Sequence, residues 1–151
     1  MRSAICLAGL VALSGCTAGA LAPPARGGGS ATTTIDVNLT SHSSTASLYG
    51  TLAGYAPTVT NVAVGTSIRF VNSDSFAHTA TAIPGTTFPA GSPFFAGAQN
   101  QSRSLISQGF SSGTLPASAS SQTILVDTAG TYLYGCFFHY GSPMRGAIVA
   151  R

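Results

Sequence analysis

The sequence predicts an all-β protein folded as a sandwich of short strands, and three observations carry that expectation. The 151 residues hold six Arg and three Asp but no Lys or Glu, so the charged residues that exposed helices favour are missing. Gly, Ala, Ser and Thr fill the space between β-branched and aromatic residues, a composition that suits strands and turns. From residue 33 onward, apolar and polar residues alternate with period two between turn-forming residues.

Taken in order, residues 1–15 read as an export signal. Arg2 supplies the positive start, and the apolar run from Ala4 to Leu13 is too short to cross a bilayer. Leu13-Ser14-Gly15-Cys16 resembles the lipobox of bacterial lipoproteins, where the thiol is lipidated and the chain is cut just before it. An ordinary secretory signal containing a cysteine is the alternative. On the lipoprotein reading, residues 16–32 are a lipidated N-terminus at Cys16 and a flexible tether, the Pro/Gly/Ser stretch beginning "APPARGGGS" at 22. Residues 33–151 are then one domain, placed in the periplasm or at the cell surface and anchored to a membrane. Thr17, where inner-membrane lipoproteins tend to carry Asp, favours the outer membrane by the same resemblance.

Within the domain, "TIDVNL" puts Ile35, Val37 and Leu39 on one strand face. "TVTNVAVGTSIRFVN" (58–72) reads as two strands around Gly65-Thr66, with Val62, Val64, Ile68 and Phe70 inward. "SQTILVDTAGTYLYGC" (121–136) gives inward Ile124 and Val126, a turn at 128–130, and then Tyr132, Tyr134 and Cys136 on one face. "RGAIVAR" closes the chain as a last strand. Residues 79–120, rich in Pro, Gly and Ser, are expected to be mostly loop with one turn of helix. Their aromatics Phe88, Phe94, Phe95 and Phe110 are expected to pack over one end of the sandwich. A length of 151 residues supports a core without staples. The formal charge of +3 is too small and too scattered for a nucleic-acid surface, which needs clustered Lys and Arg.

The chemistry concentrates in "YLYGCFFHYGSPMRG" (132–146), which holds one of three cysteines, one of three histidines and one of two methionines. With Cys6 in the signal and Cys16 lipidated, Cys136 has no intramolecular partner. It is an inert buried thiol, an oxidation liability or a metal ligand. Cys136, His139 and Met144 fall on one short loop, and His78 lies just past another strand, in "GTSIRFVNSDSFAHTAT". One thiolate, two imidazoles and a thioether form a soft mixed donor set that favours copper in an electron-transfer site. A rigid sandwich can hold all four, whereas a free loop could not.

The segments "VAVGTSIRFVNSDSFAHTAT" and "GTYLYGCFFHYGSPMRGAIVAR" resemble the two signature segments of the cupredoxins, nearest the plastocyanin-like branch. That resemblance implies a Greek-key β-sandwich with one type 1 (blue) copper ion at one end, ligated by His78, Cys136, His139 and Met144, with electrons passing through His139. The family usually carries Pro before and Asn after its upstream histidine, where this chain has Ala77 and Thr79, and Pro before the second histidine, where it has Phe138. Thr79 could replace the Asn, which steadies the ligand loops, through its hydroxyl.

The remaining polar residues read more simply. His42 sits among small polar residues as a solvated group, Asp74 caps a turn, and Asp36 and Asp127 lie in strand and turn contexts that give acid–base work no support. Tyr132 and Tyr134 belong to a sheet face. The sequence therefore predicts a membrane-tethered, monomeric carrier of single electrons between redox protein partners, such as a cytochrome or oxidase, docking near His139. Phe137, Phe138, Tyr140 and Pro143 are candidates for an apolar docking face. Copper storage, delivery or sensing without redox work is the alternative, although it usually uses Met-rich or His-rich tracts. A copper enzyme would need a second centre, for which only His42 is left, so no enzymatic activity is expected.

Overall fold

The computed structural model describes residues 31–151, and the expected signal at 1–15, Cys16 and the tether before residue 31 lie outside the described residues. The described strands are β1 (Thr32–Val37), β2 (Thr45–Ser47), β3 (Gly50–Leu52), β4 (Tyr55–Ala56), β5 (Val59–Val62) and β6 (Ser67–Asn72) in the first half. The second half contributes β7 (Thr81–Ile83), β8 (Gln101–Ser102), β9 (Ser111–Ser112), β10 (Ile124–Leu125), β11 (Gly130–Gly135) and β12 (Arg145–Ala150). They form a four-stranded sheet in the order β10-β6-β1-β4, a six-stranded sheet in the order β5-β12-β11-β7-β9-β8, and the hairpin β2–β3. This is the Greek-key sandwich expected from the sequence.

Period-two alternation builds the space between the sheets. Ile35 and Val37 of β1, Tyr55 of β4, Ile68 and Phe70 of β6, and Ile124 of β10 are fully buried from one side. Tyr134 and Ile148 meet them from the other. Burying each such side chain contributes about 1.5–3 kcal/mol, so this layer is the main source of stability. The aromatic residues interlock, with Tyr134 edge-on to both Tyr55 and Phe70 at centroid distances of 4.8 and 5.1 Å. Tyr134 reaches this position only because residue 146 on the paired strand is glycine. A Cβ there would collide with the ring and hydroxyl of Tyr134.

Three expectations need correction. Val64 is 45 % exposed, because β5 belongs to the larger sheet and β6 to the smaller. The turn between them crosses the sandwich edge, where there is no face to bury a side chain. Phe110 lies inside the main core, stacked on Phe70 with ring centroids 5.8 Å apart. Phe88 and Phe94 pack with Ile83, Leu133, Tyr140 and Ala147 in a second cluster. Leu133 alternates with Tyr134 along β11, so this cluster covers the opposite face of the larger sheet and does not cap one end. Phe95 stays 76 % exposed. The helical turn expected in this region is a 3-10 turn at Ile106–Gln108.

Strand direction fixes where chemistry can collect. β1 and β6 run parallel from Thr32 and Ser67 to Val37 and Asn72. β11 runs toward Gly135, and β12 returns from Arg145 beside it. The segment before His78 and the loop after Cys136 therefore emerge at the same end of the sandwich.

Candidate metal centre

Beyond β6 the chain bends, and the Asn72 side chain holds the bend. Its amide donates to the carbonyls of Phe76 and Leu115, both at 2.8 Å, and its oxygen accepts the Asp74 N–H at 2.9 Å. His78 is then clamped to Leu115 through both backbone groups, at 3.1 and 2.8 Å. On the other side, the Cys136 N–H donates to the Met144 carbonyl at 3.0 Å, where β11 gives way to the loop. The N–H groups of Ser142 and Met144 both donate to the His139 carbonyl, closing the loop on itself. Two independently braced segments thus face each other.

Their side chains converge on one point. Nδ1 of His78 and Nδ1 of His139 lie 3.2 Å apart, and the Cys136 sulfur is 3.8 Å from the first and 3.5 Å from the second. A triangle with these edges has its centre about 2.0 Å from every corner. That is a bond length for imidazole nitrogen on a first-row metal and a little under one for thiolate. The donor set therefore fits a single metal ion, which the two nitrogens and the sulfur would hold between them. The fourth expected ligand, Met144, is fully buried in the same cluster as Cys136. Its thioether packs on Gly54, where an added Cβ would stand 2.6 Å from the Met144 Cγ and 3.2 Å from its sulfur.

The surroundings favour neutral imidazole and a dry sulfur. Burial pushes the Cys136 thiol up, against the opposing pull of the N–H groups of Thr79, Phe138 and His139. Burial, followed by the neighbouring His78, holds His139 below the ordinary histidine range, which leaves its lone pair free at neutral pH. The Asp74 carboxyl lies well below the usual range. Burial works against its charge, but hydrogen bonds from His78, Ser75 and Thr40 outweigh that penalty.

Thr79 ties the two segments together. The Phe137 N–H donates to its hydroxyl at 2.8 Å, and its own N–H faces the Cys136 sulfur at 3.4 Å. Its carbonyl accepts from the Tyr55 hydroxyl at 2.5 Å. Asp74 is the residue that the sequence reading undervalued. It does accept the Ser75 N–H as a turn cap would, at 2.8 Å, but its other oxygen is 3.0 Å from Nε2 of His78. A carboxylate four positions before a candidate histidine ligand was the available signal. His42 lies apart from the group, 2.6 Å from Asp36, which also accepts the Ser73 hydroxyl.

The rim is aromatic. The Phe76 ring contacts the rings of both His78 and His139, with centroids 4.8 and 5.5 Å away, and Phe138 stands 6.3 Å from His139. Phe76 and Phe138 are both partly exposed. Tyr140 is buried instead of surface-facing. Its hydroxyl donates to the Pro89 carbonyl, and the Arg145 guanidinium lies 3.9 Å over its ring.

Residues 42–151 match the profile of a family described as copper binding proteins, plastocyanin/azurin family. No curated protein matches the chain. Among solved structures, one described as a novel purple cupredoxin from Nitrosopumilus maritimus is 21 % identical, with a TM-score of 0.49 over 78 % of this chain and 98 % of its own. The oxidised form of plastocyanin from Dryopteris crassirhizoma is 18 % identical, with a TM-score of 0.47 over 79 % of this chain and 100 % of its own.

Proposed function

The chain belongs to the plastocyanin/azurin family of copper-binding proteins, and on that premise we propose that it carries single electrons between protein partners outside the cytoplasm, using His78, Cys136, His139 and Met144 as its copper ligands. The observation that carries this reading is the triangle of His78 Nδ1, His139 Nδ1 and Cys136 Sγ, whose centre suits one metal ion. Bound there, copper supplies a one-electron Cu(I)/Cu(II) couple, which thiolate and thioether bias toward Cu(I) while imidazole serves both states.

The chain's own residues do the rest. Backbone clamps at Leu115 and Met144 hold the donors in place whichever charge the site carries, so little rearrangement accompanies transfer. Full burial of His78, Cys136 and Met144 excludes water. His139 lies nearer the surface between Phe76 and Phe138, which makes it the natural exit for electrons and makes those rings the docking rim.

In this reading the protein is a carrier and not an enzyme. A second metal centre would need further imidazoles, and the remaining histidine, His42, is engaged by Asp36. The lipobox-like sequence at Cys16 supports tethering to a membrane, with the outer one favoured, where a monomeric domain can shuttle between a donor and an acceptor.

The test is the visible spectrum of the purified protein titrated with Cu(II). An intense thiolate-to-copper band, lost in Cys136→Ser and bleached by a mild reductant, is expected. A weakly absorbing product that a chelator strips readily would sink the carrier reading and leave copper delivery or storage in its place.

A further inference from the structure

We propose that Asp74 is a positioning residue for His78: it holds the imidazole as the Nε2–H form, aims Nδ1 at the copper and, as a fixed negative charge one ring away, favours the oxidised ion over the reduced one. The inference rests on the copper-carrier reading above.

Geometry and chemistry lead there together. The Asp74 Oδ2 lies 3.0 Å from His78 Nε2, and both side chains are buried. A carboxylate only accepts hydrogen bonds, so Nε2 must carry a proton, and in the neutral ring the lone pair then falls on Nδ1, the atom that faces Cys136 and His139. The carboxylate is itself held in position. It accepts the Thr40 N–H at 3.2 Å, the Thr40 hydroxyl at 2.9 Å and the Ser75 N–H at 2.8 Å. These donors come from the segment after β1 and from the bend after β6, so the end of the sandwich itself locks the orientation of His78.

The two histidines are consequently unequal. His139 is flanked by the rings of Phe76 and Phe138, while His78 has a carboxylate behind it. The other two acids are committed elsewhere, Asp36 to His42 and Asp127 to Ser107. Asp74 is therefore the acid that acts on the site. A negative charge behind an imidazole raises its donor strength, and the more highly charged metal ion gains more from it.

The experiment compares the wild-type protein with Asp74→Asn, which keeps the shape and a carbonyl acceptor but loses the charge. Cu(II) affinity is expected to fall about tenfold with Cu(I) affinity nearly unchanged. The reduction potential then rises by about 59 mV for each tenfold of that difference. Nitrogen-15 NMR of the copper-free wild-type protein is expected to show the His78 proton on Nε2, and Asp74→Ala to give a tautomer mixture. An Asp74→Asn protein that keeps its blue band at an unmoved potential overturns the inference and leaves the carrier reading standing. So does an Nδ1–H tautomer in the copper-free wild type, which needs no variant. A wild-type protein with no blue band removes the carrier reading and this inference with it.

Discussion

Tyr55 and Tyr134 meet edge to face in the core, with ring centroids 4.8 Å apart and planes at 73°, yet only the Tyr55 hydroxyl has a hydrogen-bond partner. Tyr55 donates to the Thr79 carbonyl, while the Tyr134 hydroxyl is buried with no partner among the described residues, and burial keeps it protonated. Phenylalanine should therefore have opposite effects at the two positions. Tyr55→Phe orphans a buried carbonyl and should cost about 1–3 kcal/mol. Tyr134→Phe removes an unsatisfied group and should be neutral or stabilising by up to about 1 kcal/mol. Denaturant unfolding of the copper-free protein measures both, and equal losses would contradict the assignment.

Gly54 sets the position of Met144. Its φ of +75° is one that other residues adopt only with strain, and its missing side chain makes room for the thioether. Gly54→Ala should cost about 1–3 kcal/mol through overpacking and backbone strain. It should also change the absorption spectrum of the copper-loaded protein, because Met144 has to move. A stability loss with an unchanged spectrum would mean that the thioether does not reach the metal.

Asp127 should govern part of the acid sensitivity. The Ser107 hydroxyl donates to it at 2.5 Å and the Ser107 N–H at 3.1 Å, and these bonds hold its carboxyl below the usual range near 4. A carboxyl depressed in the folded state stabilises the protein above the unfolded-state value and loses that contribution as pH falls through the folded one. The difference in melting temperature between wild type and Asp127→Asn should therefore be steady from neutral pH down to about 5. It should shrink on further acidification, as a melting series across that range would record.

Phe138, 46 % exposed beside His139, should matter to exchange of electrons and not to the metal. Phe138→Ala should leave the spectrum unchanged. It should slow electron self-exchange, read by NMR on mixtures of the two oxidation states, by about tenfold, the equivalent of one contact of about 1.4 kcal/mol. With only nine charged residues in the chain, raising the salt concentration should alter the wild-type rate little. A strong salt dependence would point to a charged docking face.

The strands and the grouping of the candidate donors were legible because both follow from short-range pattern. Ile35, Val37, Ile68, Phe70, Ile124 and Tyr134 alternate with polar neighbours, and Cys136, His139 and Met144 share one loop, so spacing alone groups them. What escaped depends on which sheet a strand joins. Val64 follows an inward-facing pattern but sits where the chain changes sheets. Phe110 and Phe94 occupy similar Pro/Gly-rich sequence, yet they pack on opposite faces of the larger sheet. The role of Asp74 escaped because its partners, Thr40 and His78, come from segments that only the fold brings together. Tyr140 reads as outward from its neighbours in sequence, while its ring is held inward by Pro89 and Arg145.

The parallel pairing of β1 with β6 also orients the molecule as a whole. Thr32 lies level with Ser67, and the strands cover about 17 Å (five steps of roughly 3.3 Å between six residues) before reaching Asn72 and the bend that carries Asp74 and His78. The covalent connection to everything before residue 31 is therefore made at the pole farthest from the histidines. A partner that docks over Phe76 and Phe138 would thus meet the domain at the end opposite the one where its described residues begin.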